Sequence, residues 1–558
     1  MKRGTTMVNL NINGNIKTYA VKNKEQGIRL SDVAKDFEDD YSGYISLAVV
    51  NNELKELTTY IKEDSDVTFL DTKNPDGLRV YTRTLNLVFI MACKCLFKDS
   101  KVLIEHSLSN GVYCEIHLGR PITEEEVAQI KEKMDKIIAK DYDINKTIYS
   151  KKEAIGIFES IGLYEKAELI KYKDEDSVKI YKCNNYIDHF YGYLMPSTGY
   201  VKTYDLFKYQ DGVILMAASE EDKRIPQKFI PQPKLASIYK ESEEWSNLIG
   251  VDKVLTLNKI IESGKYGEII RIVEALHEKK IGQIADIIKQ ENKRIILIAA
   301  PSSSGKTSFA TRLCIHLKVN NLNPVSISLD NYFVDRAHTP LDEYGKMDYE
   351  SIYAINLERF NKDLSDLLEG KEVQLPKYNF LTGKSEKGEI LKIDENQPII
   401  LEGIHGLNPM LTSSIPDDEK FKIYLSALTQ INLDDHNRIP TTDLRLIRRI
   451  VRDNQFRAHT AEMTIMGWPS VRRGEEKNIF PYQEQADVMF NTACVYELSL
   501  LKTYAKPLLE QIDRKSEAYI EAKRLLKFLQ YFVELDDLSD IPPTAIIREF
   551  IGGSKIVH

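Results

Sequence analysis

The stretch Ile295–Leu313, I-I-L-I-A-A-P-S-S-S-G-K-T-S-F-A-T-R-L, constrains what this chain can fold into more than any other part of it. Ile295 to Ala300 is an apolar run with the length and β-branched content of a strand buried on both faces. Small residues follow, then Gly305-Lys306-Thr307, then Phe309, Ala310 and Leu313 on one side of a helical pattern. In that order of strand, loop and helix, backbone N–H groups converge on phosphate and the helix N-terminus adds its positive end. The spacing assigns the nucleotide's phosphates to Ser302, Ser303, Ser304, Gly305, Lys306, Thr307 and Ser308. Lys306 reaches the β- and γ-phosphates, and the Thr307 hydroxyl ligates Mg²⁺. Ala300 stands where the G-x-x-x-x-G-K-[ST] pattern has its first Gly.

At 558 residues the chain is too long for one core and suggests three or four domains. A formal net charge of −8 argues against a general nucleic-acid-coating role, while leaving room for a local basic face. None of the six cysteines forms a C-x-x-C pair, so neither a disulfide framework nor a zinc ribbon is expected. The start, M-K-R-G-T-T-M-V-N-L, has no apolar signal core behind it, and no apolar run is long enough to span a bilayer. The expected compartment is the cytoplasm, with no membrane contact.

Before the phosphate loop lie three segments. Residues 1–72 alternate like strands at Val8–Ile12, Ile45–Val50 and Asp66–Leu70, with a hairpin signal at Asn13-Gly14 and a short helix at Leu30–Phe37. Periodicity alone makes this a small α/β domain; with its turn at Asn52–Leu54 it resembles the TGS domain, a β-grasp module of threonyl-tRNA synthetases and certain GTPases. Residues 73–222 contain a helix at Tyr81–Phe97, strands at Lys101–Ile104 and Gly111–Ile116, and a helix capped by Thr123 with Glu126. With Y-I-D-H-F-Y-G-Y-L-M-P-S-T-G-Y-V-K at Tyr186–Lys202, this α+β segment resembles the editing domain of threonyl- and alanyl-tRNA synthetases. That resemblance puts Arg83, Leu87, Phe190 and Leu194 where such domains carry a metal-type cluster. Arg, Leu and Phe cannot ligate zinc, and His106, His117 and His189 do not rebuild the spacing. No zinc and no editing hydrolysis are expected, although a groove for tRNA or another RNA stays open. Residues 223–290 read as a helical linker with a Pro-containing start.

From 291 to 515 strands and helices alternate, as in a parallel sheet flanked by helices. Asp330 ends the run Pro324–Leu329, and Glu402 ends Pro398–Leu401. Two acids at strand ends, downstream of a phosphate loop, suit Mg²⁺ binding and proton abstraction. A basic helix follows at Asp443–Arg457, with Arg445, Arg448, Arg449 and Arg452 interleaved with apolar residues. A solvated charged face and a lid over a transferred phosphoryl group are its two readings, and the loop upstream favours the lid.

Lys293–Ile512 resembles the uridine kinase and phosphoribulokinase family. S-L-D-N-Y-F implies Asp330 as general base on a ribose 5′-hydroxyl; K-M-D-Y-E implies Asp348 as a ribose contact; L-P-K-Y-N-F-L-T-G implies Tyr378 and Phe380 beside the nucleobase. L-E-G-I implies Glu402 as the acidic metal residue, beside Thr307 and Asp330, and R-R-I-V-R-D implies Arg449, Arg452 and Arg457 in the lid, the first two catalytic with Lys306 and Arg457 on the substrate. Three positions depart from the family: Gly383 replaces a base-reading His, His459 a lid Arg, and Gly467 a Gln near the base. The whole order resembles bacterial fusion proteins described as uridine kinase-like or nucleoside kinases. It implies a kinase using ATP or GTP and Mg²⁺ on a nucleoside or another ribose-type acceptor. The alternative is an RNA-binding or nucleotide-sensing regulator with a weak kinase half. The tail, 516–558, could dock on the kinase or on another subunit, which leaves a homo-oligomer open.

Overall fold

The apolar run at 295 is the middle strand of a five-stranded sheet in which every strand is parallel to its neighbours. The computed structural model describes residues 6–21, 27–379 and 381–557. The sheet runs in the order Val325–Ser328, Ile399–Glu402, Ile295–Ala299, Lys420–Ser426, Val488–Asn491. All five residues of Ile295–Ala299 are buried, because helices cover both faces of the sheet. Each large aliphatic side chain buried there contributes about 1.5–3 kcal/mol. The central position also puts the loop after Ala299 between the ends of two neighbouring strands, where open α/β sheets bind ligands.

The segment 223–290 is more than a linker. Its helices Pro233–Ile249, Val254–Glu262 and Tyr266–Gln290 contribute Val254, Leu257, Ile270, Ile281 and Ile284 to the same core as Phe309, Leu313 and Leu317 of the phosphate-loop helix Lys306–Val319. The tail enters that core as well, through Leu525, Phe528, Ile546 and Phe550. It docks on residues 291–515 of its own chain.

The first segment is a mixed five-stranded sheet in the order Asn15–Val21, Thr6–Ile12, Ser65–Asp71, Ile45–Val50, Glu53–Lys55, with only the Thr6–Ile12/Ser65–Asp71 pair parallel. The helix expected at Leu30–Phe37 divides into an α-turn at Leu30–Ala34 and a 3₁₀ segment at Lys35–Asp40. The second segment has an antiparallel four-stranded sheet and a three-stranded one, Ile144–Ser150, Ser177–Cys183 and Tyr186–Asp188. Its long helix spans Pro75–Leu96, six residues earlier than the apolar pattern indicates. Asn74 accepts from the Asp76 N–H and Pro75 occupies the first turn, so a polar cap starts the helix before its core-facing stripe begins. Leu87, Phe190 and Leu194 are buried in the domain core, and Arg83 donates to the Tyr193 carbonyl at 2.8 Å.

Polar side chains lock the second segment to the part of the chain built around the parallel sheet. The buried Asp188 carboxylate takes Lys166, Tyr186 Oη and, from that part, His436 Nδ1 at 2.6 Å. His189 Nε2 lies 2.7 Å from Tyr531 Oη. Both partnerships turn motif residues of the editing-like segment into interdomain contacts. Among the described residues no helix is long and apolar enough to cross a membrane.

The arginine helix, Thr441–Phe456, is not a solvated face. Arg445 and Arg448 are 1% and 0% exposed. Arg445 makes a two-pronged pair with Glu475, while Arg448 Nη2 and Nε meet Glu497 Oε2 at 2.6 and 3.0 Å. Removing one member of such a pair strands the other charge in the core. Arg448→Ala is expected to cost about 3–5 kcal/mol, read as a lower denaturant midpoint, and Arg448→Ala/Glu497→Ala together should cost less than Arg448→Ala alone.

Candidate active site

Gly305 carries φ +76° and Ser303 φ +61°, so the loop curls back on itself before the helix begins. A Cβ on Gly305 would lie 2.3 Å from Ile546 Cγ2, so glycine is needed for space as well as backbone. Ala300, the departure from the usual pattern, is not at positive φ, and a methyl group there carries no backbone strain. Two arginines grip the loop from behind: Arg445 Nη1 donates to the Ser302 carbonyl at 3.1 Å and Arg448 Nη1 to that of Ser303 at 3.4 Å. The Ser302 N–H is taken by Glu475 at 3.0 Å. The hydroxyls of Ser303 and Ser304 are buried without a hydrogen-bond partner among the described residues. Buried hydroxyls left in this way cost stability unless something accepts from or donates to them, which fits a phosphate-binding loop.

At the start of the helix the tail supplies an anion. Glu549 Oε2 accepts from the Ser308 N–H at 3.1 Å and from Ser308 Oγ at 2.6 Å. The carboxylate thereby caps a helix N-terminus, where negative charge is favoured.

Lys306 Nζ donates to Glu402 Oε2 at 2.7 Å. Burial alone would lower this ammonium, but Glu402 and then Asp330 outweigh it and hold Lys306 above the ordinary lysine value. Asp330 lies in the 3₁₀ turn Leu329–Tyr332, immediately after its strand, and also acts electrostatically on Arg457 and His405. Thr307, Asp330 and Glu402 offer only oxygen donors, the ligand type that Mg²⁺ takes. The buried Asp453 carboxylate gathers three arginines: Arg452 at 2.8 Å, Arg449 at 3.3 Å and Arg457 at 3.6 Å. Arg449 alone of the three also reaches the loop, donating to Ser302 Oγ at 2.7 Å.

Asp348 Oδ1 accepts from the Glu350 N–H at 3.1 Å. Tyr378 is 5% exposed and meets Phe333 edge-on, with ring centroids 5.6 Å apart. Phe380 lies outside the described residues. Gly383 has φ +68°, and a Cβ there would run into Arg336 at 2.7–2.8 Å, so no imidazole can stand at that position without moving the arginine. At Gly467 nothing lies within 4 Å of where a side chain would begin.

Motif reading nominated Asp348 from K-M-D-Y-E but passed over the neighbouring Glu350, and took Arg449, Arg452 and Arg457 from the basic helix without Asp453, which orients them. It also missed His405, Glu475 and Glu549. The only local signals were a glutamate beside a nominated aspartate, an aspartate inside the arginine motif and a histidine three residues past Glu402; Glu549 had none.

Glu350 stands out by its electrostatics. Its Oε2 is buried without a hydrogen-bond partner among the described residues, and burial, with Glu475 nearby, pushes its carboxyl up to about 8. The folded chain then holds this proton more tightly than the unfolded chain, whose ordinary glutamate value is 4.5. The group's contribution to stability is full below about 4.5 and is lost as pH rises through about 8. Glu350→Gln is expected to flatten the stability profile between those limits and to gain most at the alkaline end. Denaturant midpoints across that window check this; an unchanged slope in the variant would reject it.

Residues 295–499 match the model of the "Phosphoribulokinase / Uridine kinase family". The chain is 33% identical over 183 residues to a threonine–tRNA ligase of Caldanaerobacter subterraneus subsp. tengcongensis, which covers 33% of this chain and 28% of that protein. It is 29% identical over 198 residues to the threonine–tRNA ligase of Rickettsia canadensis, covering 35% of this chain and 31% of that one. The chain thus spans less than a third of the length of these curated relatives. A solved structure described as a possible uridine kinase from Bacillus stearothermophilus aligns at 21% identity and a TM-score of 0.24, over 36% of this chain and 89% of that one. The C-terminal half therefore contains a phosphoribulokinase/uridine kinase family domain, joined in one chain to an N-terminal part homologous to threonine–tRNA ligases.

Proposed function

We propose that the kinase half transfers the γ-phosphoryl group of ATP or GTP to the 5′-hydroxyl of a nucleoside or another ribose-type acceptor. The observation that carries this reading is the gathering of Lys306, Asp330, Glu402 and Arg449 around a loop with two unpartnered seryl hydroxyls. The serines and the free N–H groups of the loop hold the donor's phosphates, and Lys306 turns from Glu402 towards them. Thr307, Asp330 and Glu402 would hold Mg²⁺, which when bound neutralises charge on the phosphate oxygens. Asp330 accepts the proton of the attacking hydroxyl. Arg449, oriented by Asp453, stabilises charge on the transferred group, and Arg457 assists from the same carboxylate. Arg452, bound to Asp453 through two nitrogens, acts mainly by keeping that carboxylate in position.

On the acceptor side Asp348 suits ribose hydroxyls and Tyr378 the wall of the pocket. Without an imidazole at 383 the site lacks one polar reader of a pyrimidine edge, and sites that lose such readers discriminate less sharply. The acceptor range is therefore broader than uridine.

A coupled ADP-release screen against nucleosides, ribose sugars and their phosphates tests the assignment. Lys306→Ala and Asp330→Asn are each expected to reduce turnover by at least about 100-fold, and full activity in both variants would end this reading. The Glu549 carboxylate competes with phosphate for the Ser308 N–H and hydroxyl. Glu549→Gln is accordingly expected to lower KM for the donor nucleotide by on the order of tenfold, since charge-assisted hydrogen bonds are the strong ones. Equal KM values would show that the tail leaves the loop before nucleotide arrives.

A further inference from the structure

Far from the phosphate loop in sequence, three ammonium groups surround one tyrosine ring. The Nζ atoms of Lys179, Lys527 and Lys146 lie 4.4, 4.5 and 5.9 Å from the centroid of Tyr193, and Lys527 also donates to Tyr193 Oη at 3.0 Å. Lys146 and Lys179 come from paired strands whose register sets Lys146 opposite Tyr181 and Ile148 opposite Lys179, so both side chains leave the same face. Lys523 and Lys527 sit one turn apart on the tail helix Tyr519–Leu529. Between these elements and the N-terminal domain lies a cavity of about 140 Å³, with Lys55, Lys146, Lys179 and Lys523 in its wall.

Carboxylates do not balance this charge. Among the described residues the carboxylates lining the cavity are Glu53 and Glu56, and Glu175, which also acts on Lys179 and Lys527, is paired with Lys173. Glu56 is committed to Lys146, Tyr181 Oη and the Leu194 N–H. Glu53 is shared among Lys55, Arg514 and, at 3.4 Å, Lys523. Lys179 and Lys527 have no ion pair among the described residues. Burial and then a neighbouring lysine push Lys179 down to about 7, and the same two causes push Lys527 down to about 8. A ring face attracts cations but carries no net charge, so it cannot neutralise Lys179 and Lys527. This excess of positive charge stands in a chain whose formal net charge is −8.

We propose that this cavity binds a small phosphorylated anion, its phosphate or diphosphate group held by Lys146, Lys179 and Lys523 of its wall and by Lys527, which stands beside the wall against the Tyr193 ring. Several point-charge donors without a backbone nest suit an anion of two or more negative charges better than a single carboxylate. The small volume, walled by elements of three segments of the chain, favours a compact ligand over a nucleic-acid strand. This site is independent of the kinase reading, since it shares no residue with the phosphate loop.

The test uses the full chain carrying Lys306→Ala, which silences the phosphate loop, and isothermal titration with pyrophosphate at low ionic strength. Inorganic phosphate, a nucleoside monophosphate and a short single-stranded RNA form the comparison arms. Pyrophosphate should bind with a stoichiometry of about one, and Lys179→Met and Lys527→Met, which keep the apolar stem over Tyr193, should each weaken it at least tenfold. Binding should also weaken as ionic strength rises, because the contact is between opposite charges; a salt series reads this without any substitution at the site, even if a variant fails to fold. Tighter binding of the monophosphate than of inorganic phosphate would support the proposal and identify a nucleotide as the source. No binding once Lys306 is removed, equal affinity in the methionine variants, salt-independent binding, or binding of RNA alone would each overturn it.

Discussion

Two buried ion pairs, Arg445 with Glu475 and Arg448 with Glu497, hold the catalytic half in one arrangement. Each arginine faces an acid on one side and a carbonyl of the phosphate loop on the other. A guanidinium meets both from separate nitrogens of one rigid fork, whereas a lysine has a single nitrogen from which to reach them. Glu475 in turn occupies the Ser302 N–H, so the near end of the loop is fixed from both the donor and the acceptor side. Buried pairs of this kind contribute little net stability compared with apolar packing, but they penalise any geometry in which one partner is missing. The loop's shape therefore depends on helices at Thr441–Phe456 and Ala461–Asn478 as much as on its own glycine.

The same economy of side chains joins the synthetase-like part to the kinase half. Asp188 and His189 lie in the motif that resembles an editing site, yet their partners are Lys166, His436 and Tyr531. Phe190 and Leu194 fill the synthetase-like part's own core. A motif that in a hydrolase would face substrate here faces another domain. Its residue types suit that role, since a buried carboxylate requires cationic or hydrogen-bonding partners wherever it is placed.

Local patterns in the chain were legible where the physics is local. The strand at Ile295–Ala299 follows from a run of apolar residues, and Asp330 and Glu402 were visible because strand ends bound them. Helix starts were less legible: the apolar stripe near Tyr81 hid a cap at Asn74. The arginine helix shows the larger limit. Its spacing pointed outward, to solvent or to a lid, because the acids that bury Arg445 and Arg448 lie 30 and 49 positions away. Glu549 is 241 positions from Ser308, and nothing in its neighbourhood distinguishes it from a surface glutamate. Periodicity reports which face of an element is apolar; it cannot report which distant charge will meet it.

The tail has a mechanical consequence. Between Arg514 and Ile551 it is tied to the N-terminal domain at Asn52, to the synthetase-like domain at His189 and Tyr193, and to the phosphate loop at Gly305 and Ser308. A continuous segment fastened at those points behaves as a tie-rod. Slack taken up at one fastening has to be returned at another, so the loop's freedom to open is set partly by domains that never touch it.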